Sequence, residues 1–273
     1  MDDGDWSTTN DAKALDVDAD GSIVVAGLTR DDSDNTDAYL VRYDADGRRM
    51  WTVRYNSPSN AADWISVVRA APDGSTYAAG DSFHKGWNAL SLKIDNDGNV
   101  LWLRHDRAED SYVAEASLID DAGNFYFAGT VYPGTMLLQK ISGDGDLLWT
   151  VGTAGAAAKM MAWESSGDLV VAGKIAAADE YSDATNDIFL AKYAPDGDLR
   201  WTAEFKEFGE SESGATGLAI EEDGSIVVSG GSQRADDPSA HDALMLSYRP
   251  DGGDRVRILR RRCRNGLQIV GGS

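Results

Sequence analysis

Asp16, Asp18 and Asp20, followed by Gly21, place carboxylates at alternate positions ahead of a glycine, the arrangement with which a loop wraps a calcium ion in oxygen ligands. Such a loop also needs a later acidic ligand. An EF-hand would carry it at position 27 and a shorter calcium loop at position 24, where this chain has Gly27 and Val24. The segment therefore reads first as a turn leading into a strand; Asp16, Asp18 and Asp20 stay as the metal candidates, calcium is the one cofactor left open, and no other is expected. His84, His105 and His241 are the only histidines, and no two share the HxH or HExxH spacing of a metal pair, so each reads as a surface residue. There is no GxSxG elbow, no phosphate loop and no ordered Ser/His/Asp set. With 46 acidic residues in 273, no acid/base pair stands out, and no catalytic residue is expected.

The elements that would position any site are set by an internal repeat. DGSIVVAG at 20–27 recurs as DGSTYAAG from Asp73, AGNFYFAG from Ala122, SGDLVVAG from Ser166 and DGSIVVSG from Asp223. The first glycines of these copies, Gly21, Gly74, Gly123, Gly167 and Gly224, give a period of about fifty residues. A second half-unit, DAYLVRYDADGRRMW at 37–51, recurs in copies ending at Trp102, Trp149 and Trp201, each Trp four positions after its turn glycine: Gly47, Gly98, Gly145 and Gly197. The fifth copy has Val256 where the Trp would stand. In YDADGRR, Asp44 can open a type I turn and Gly47 can take the positive φ that closes it, so both half-units read as β-hairpins. Consecutive apolar runs such as Ile23, Val24 and Val25 suit strands buried on both faces, and hence sheets stacked face to face. Four short strands per period of fifty predict an all-β fold, a β-propeller of about five four-stranded antiparallel blades whose ring the N-terminal strand around Trp6 would close.

These residues resemble the SBBP-type β-propeller repeats of bacterial and archaeal proteins over residues 6–254. The Gly-to-Trp step is similar to the tryptophan-docking repeat of quinoprotein-like propellers. That resemblance implies structural roles for Gly47, Gly98, Gly145 and Gly197, with the rings of Trp51, Trp102, Trp149 and Trp201 packed between neighbouring blades. The quinone cofactor of that family goes with adjacent cysteines, and Cys263 is the only cysteine. The SBBP resemblance also implies a cell-surface or extracellular location. Propellers carry many activities on one scaffold, so the resemblance speaks to fold far more than to function.

Thirty-six Asp and ten Glu against seventeen Arg and eight Lys give a net charge of −21. A surface this anionic repels itself at low ionic strength and is screened in brine, which points to a halophilic source. The same charge argues against a nucleic-acid partner. No apolar run approaches the length of a membrane helix, and the N-terminus lacks the basic and apolar regions of a signal peptide. The last nineteen residues hold six Arg and no acid. The reversal, where the fifth repeat loses its Trp, divides the chain into a propeller at 1–254 and a basic tail at 255–273, expected to be frame-shifted or disordered, or else an arm for an anionic partner.

From the glycine ending the second strand to the start of the third, the connections vary in length, and residues 30–36, 176–186 and 233–241 are the candidate binding loops. A monomeric, non-enzymatic binding module taking a protein or carbohydrate partner on that face is the expectation. The alternative is a propeller hydrolase or lyase with a metal at the central channel, which would need polar residues converging from several innermost strands, where this chain offers mostly small or apolar ones.

Overall fold

In a computed structural model of the chain, the described residues are 9–30, 35–108, 110–132, 134–175, 187–205, 214–234, 237–255, 257–261 and 267–271. They form antiparallel strands and no helix. The first sheet takes β1 (Thr9–Val17), β2 (Ile23–Arg30), β3 (Thr36–Tyr43) and β4 (Arg49–Tyr55) in sequence order. The second takes β5 (Asp63–Ala70), β6 (Thr76–Phe83), β7 (Trp87–Ile94) and β8 (Val100–Arg107). The third takes β9 (Tyr112–Ile119), β10 (Phe125–Val131), β11 (Thr135–Ile141) and β12 (Leu147–Ala154), and the fourth β13 (Ala156–Trp163), β14 (Leu169–Ile175), β15 (Ile188–Tyr193) and β16 (Leu199–Phe205). The fifth begins with β17 (Gly214–Ile220), β18 (Ile226–Arg234) and β19 (Asp237–Tyr248). Beside β19 lie β20 (Asp254–Arg255) and β21 (Arg257–Arg261), and β22 (Leu267–Gly271) pairs with β21, so the basic segment carries strands. The Trp6 segment expected to complete the last sheet lies outside the described residues. Five repeated antiparallel sheets of this kind are the blades of a β-propeller.

The chain divides into two compact units, residues 1–132 with 138–148 and residues 133–137 with 149–273, and the division runs through the third sheet. In the first unit, Val24, Ala26, Ala38, Leu40 and Trp51 of the first sheet pack with Ile65, Val68, Ala78, Leu90, Leu92 and Ile94 of the second. In the second, Val170, Ala172, Ile188 and Leu190 of the fourth sheet pack with Ile226, Val228, Leu244, Leu246 and Tyr248 of the fifth. The middle strands are buried on both faces, as their consecutive apolar residues require: every residue of β15 is buried, and all of β6 except Phe83. The fourth strands, such as β4 and β16, alternate instead.

Neighbouring repeats are joined by a recurring contact. The indole N–H of Trp51 donates to Asn96 O at 3.1 Å, Trp102 to Gly143 O at 3.1 Å, Trp149 to Pro195 O at 3.2 Å and Trp201 to Pro250 O at 3.1 Å. Each ring lies over the turn glycine two residues after its acceptor. A Cβ on Gly98 would stand 2.8 Å from Trp51 Cβ, one on Gly145 2.8 Å from Trp102 Cγ, and one on Gly252 2.8 Å from Trp201 Cδ2. These turn glycines also hold φ between 91° and 94° at Gly98, Gly145 and Gly197, a region closed to side chains, so both the ring and the turn exclude any other residue.

A cation accompanies the ring in three of the repeats, buried at Arg42 and Lys192 and largely so at Lys93. Arg42 donates to Gly74 O at 2.6 Å and to Asp18 Oδ2 at 2.7 Å. Lys93 reaches Gly143 O at 3.3 Å, and Lys192 reaches Pro250 O at 3.1 Å while pairing with Glu164. The Gly143 and Pro250 carbonyls thus each accept from a Trp and a Lys.

The glycine near the end of each second strand has a different cause. Opposite it the first strand carries a β-bulge, between Ala12 and Ala14, Ile65 and Val67, Ala114 and Ala116, Ala158 and Met160, and Ala215 and Gly217. A Cβ on Gly173 would meet the Ala157 carbonyl oxygen, backbone that cannot swing away, whereas one on Gly167 would meet nothing within 4 Å. Gly173→Ala is expected to destabilise the protein by about 3 kcal/mol or more through forced backbone movement. Gly167→Ala, whose cost is its positive φ of 86°, should lose only about 1–2 kcal/mol. Denaturant unfolding of the two variants checks the order, and equal losses would refute the bulge account.

Candidate functional site

Of the three aspartates with calcium spacing, each serves a different neighbour. Asp18 pairs with Arg42, the two side chains only 8% and 1% exposed. Asp16 Oδ2 accepts from Ala70 N at 2.9 Å, tying the first sheet to β5. Asp20 Oδ1 accepts from Ser22 N at 2.8 Å, and that bond holds its pKa below the ordinary carboxylate value. Among the described residues, no group of three or more His, Cys, Asp or Glu side chains is placed to hold a metal ion. Of the candidate loops, residues 31–34, 176–186 and 235–236 lie outside the described residues, as does the side chain of His241.

The residues the fold does gather are at one end of the second sheet. Register places Trp64 opposite Asp81 and Asp81 opposite Ala89, with Phe83 opposite Trp87 one step beyond. Because side chains alternate across a strand, Asp81 and Phe83 on β6 and Trp87 and Ala89 on β7 share one face. The Trp64 and Trp87 rings lie 6.0 Å apart at 66°, and Phe83 and Trp87 5.2 Å apart at 77°. Near-perpendicular rings form the walls of a corner rather than a stack. Phe83 is 42% exposed and both tryptophans are partly exposed, so the corner is open to solvent.

Behind it, Asp81 is fully buried and neither carboxylate oxygen has a hydrogen-bond partner of normal geometry. Burial pushes its pKa up to about 8; the Trp64 indole N–H pulls the other way and the Glu115 charge adds to the rise. Tyr112 on β9 is also fully buried with its hydroxyl unpartnered, and burial, then the Asp81 charge, raise its pKa. The Tyr112 phenol occupies the space a Cβ would take on Gly129, so the bulge glycine of the third sheet also makes room for it.

The opposite face of the same sheet end holds a second polar group. His84 and His105, which sequence spacing set apart, lie 5.7 Å apart between ring centroids, and Tyr55 of β4 lies 2.8 Å from His105 Nε2. Burial and the His84 charge lower the His105 pKa, while burial and Asp63 push Tyr55 up to about 12. The Tyr55 hydroxyl and His105 Nε2 thus share one hydrogen bond between two partly buried side chains. The two positive-φ residues other than glycine among those described, Asn60 at 50° and Lys85 at 55°, sit in the loops at this same end. Strain of that kind is tolerated where surrounding structure holds it and clusters at functional sites.

Phe83, Trp87 and Asp81 escape sequence reading because the connection that carries them is one of the shorter ones, while attention falls on longer loops. The signal available was positional: after the second-strand glycine the five copies read Leu28, Asp81, Thr130, Lys174 and Gly231, and only one is an acid.

Fold and site together define a β-propeller with one chemically distinct blade end. Residues 19–49 match the family described as a domain of unknown function (DUF5122) beta-propeller. The chain is similar in structure to a protein of unknown function from Bacteroides caccae, at 14% identity and TM-score 0.53, over 95% of this chain and 84% of that one. It is also similar to the WD40 domain of Neurospora crassa Pan2, at 11% identity and TM-score 0.56, over 91% of this chain and 65% of that one. Likeness at these identities concerns the fold. No curated protein matches the chain.

A carboxyl that is neutral in the fold and ionised when unfolded makes the fold bind more protons, so stability falls as pH rises from about 4 to 8, by at most about 1.4 kcal/mol per pH unit. Asp81→Asn should match the parent near pH 4 and exceed it by up to about 4 kcal/mol near pH 7.5. Urea unfolding at the two pH values reads this, and a constant difference would refute a buried neutral carboxyl.

Proposed function

We propose that the protein is a non-enzymatic β-propeller binding module of the SBBP type that engages its ligand through the loop end of the second sheet. The observation that carries this reading is convergence at one place: an open aromatic corner, the buried polar atoms of Asp81, Ser82 and His84 without a hydrogen-bond partner of normal geometry, and the two positive-φ residues other than glycine all lie at that end. The repeat resemblance supports a cell-surface or extracellular setting. A panel of neutral sugars, amines and short peptides, screened by thermal unfolding, should contain a compound that raises the midpoint of the parent. A ligand near 100 times its Kd stabilises by about 2.7 kcal/mol, and Phe83→Ala should abolish the shift. Stabilisation that survives Phe83→Ala, or none across the panel, would overturn this placement of the site.

The net charge of −21 supports a halophilic setting. Screening of that charge at a Debye length of about 3 Å in 1 M salt should raise the unfolding midpoint between 0.1 and 2 M KCl. A flat or falling midpoint would refute the salt adaptation.

A further inference from the structure

Buried acids in this protein have partners: Asp37 pairs with Arg54, Glu164 with Lys192, and Asp63 accepts from Ser57 N. Among the described residues, Asp81 has no cation beside it and no hydrogen bond of normal geometry, only the pull of the Trp64 indole N–H, although it is fully buried on the face that carries the aromatic corner. A buried carboxylate without a partner is costly unless something supplies the opposite charge or the group takes up a proton. Arg104, a cation of the adjoining strand β8, is held by Asp106 and Gly145 O.

Resting on the binding reading above, we propose that the corner of Trp64, Phe83 and Trp87, with the Asp81 carboxylate behind it, binds an alkylated ammonium cation. Ring faces attract a cation through their quadrupoles, and an alkylated ammonium, large and weakly hydrated, gives up water more readily than a metal ion does. Two near-perpendicular ring pairs supply walls for such a group, and the Asp81 charge acts on it through a low-dielectric interior. The net charge of −21 favours the approach of a cation and opposes an anion. A single carboxylate backed by aromatic carbon does not make a metal site.

At neutral pH the empty site holds Asp81 largely protonated, so the bound cation must displace that proton. Among the described residues, the ionisable groups that act on Asp81 are Tyr112 and Glu115 on β9, and Asp106 on β8, paired with Arg104, acts on Tyr112 in turn. Below about pH 8 the affinity should therefore rise with pH, by about tenfold between pH 7 and pH 9 for a carboxyl titrating near 8.

The test is calorimetric titration of the full chain with choline and with its neutral isostere 3,3-dimethylbutan-1-ol. Choline should bind saturably, at least about tenfold more tightly than the isostere. Asp81→Asn should weaken choline by about tenfold or more without changing the isostere, and Phe83→Ala should weaken choline by about two- to fivefold. Asp81→Asn replaces a buried, largely protonated carboxyl by a neutral amide of the same shape and is expected to fold, and its unfolding transition checks that. Equal binding of choline and isostere, or indifference to Asp81→Asn, would overturn the cation while leaving an apolar binding corner. Binding of a neutral sugar that Phe83→Ala abolishes, with no choline binding, would likewise overturn the cation and keep the binding reading. No binding by choline, by the isostere or by any member of the panel above would overturn both.

Discussion

An indole of one repeat resting on the turn glycine of the next is the contact on which the stacking depends. The middle strands are buried on both faces, so no sheet can shed its polar backbone atoms to water where repeats meet. The carbonyls of Gly143 and Pro250 illustrate the solution: each accepts from a Trp of the preceding repeat and from the Lys beside it. The turn must present its backbone closely enough to be reached, and only a residue without Cβ leaves room for the ring. Sequence constraint at Gly98 and at Trp51 is thus one constraint, seen from its two sides.

Much of the fold was legible because it is written in short-range chemistry repeated five times. A turn glycine with φ near 90° and a consecutive apolar run each leave a local mark, and repetition separates that mark from chance. The bulges left only an indirect one. The second-strand glycine was visible in every copy, but its cause lies in the carbonyl of another strand, a cross-strand relation that reading along the chain does not expose. The cations at the joints between repeats left no mark for a related reason. Arg42, Lys93, Lys140 and Lys192 occupy one repeat position, yet a charged residue in an apolar run reads as an exposed one until its partner, such as Asp18 or Glu164, is seen beside it.

The candidate site was less legible because it is a departure from the repeat. Its parts come from β5, β6, β7 and β9, and nothing in their spacing along the chain announces that Trp64 and Trp87 meet or that Tyr112 faces Asp81's charge. The aspartates that did carry a recognisable spacing are spent on structure: Asp18 on Arg42, Asp16 on the backbone of β5. In an acidic chain, carboxylate spacing is a poor guide to binding, whereas a buried carboxylate with no cation beside it is informative, and that property exists only in three dimensions.

The fifth copy differs from the others at both positions that join repeats, with Ser247 where Arg42, Lys93, Lys140 and Lys192 stand and Val256 where the tryptophans stand. In an array held by nearest-neighbour contacts, cooperativity travels only as far as those contacts do. The fifth copy accepts Trp201 and Lys192 through Pro250 but has neither an indole nor a buried cation to hand forward. Among the described residues the array therefore has a polarity: each of the first four repeats hands an indole forward to the next, while the fifth receives one. Amide protons of the fifth sheet should consequently have the shortest exchange lifetimes, making the final blade the place where opening begins.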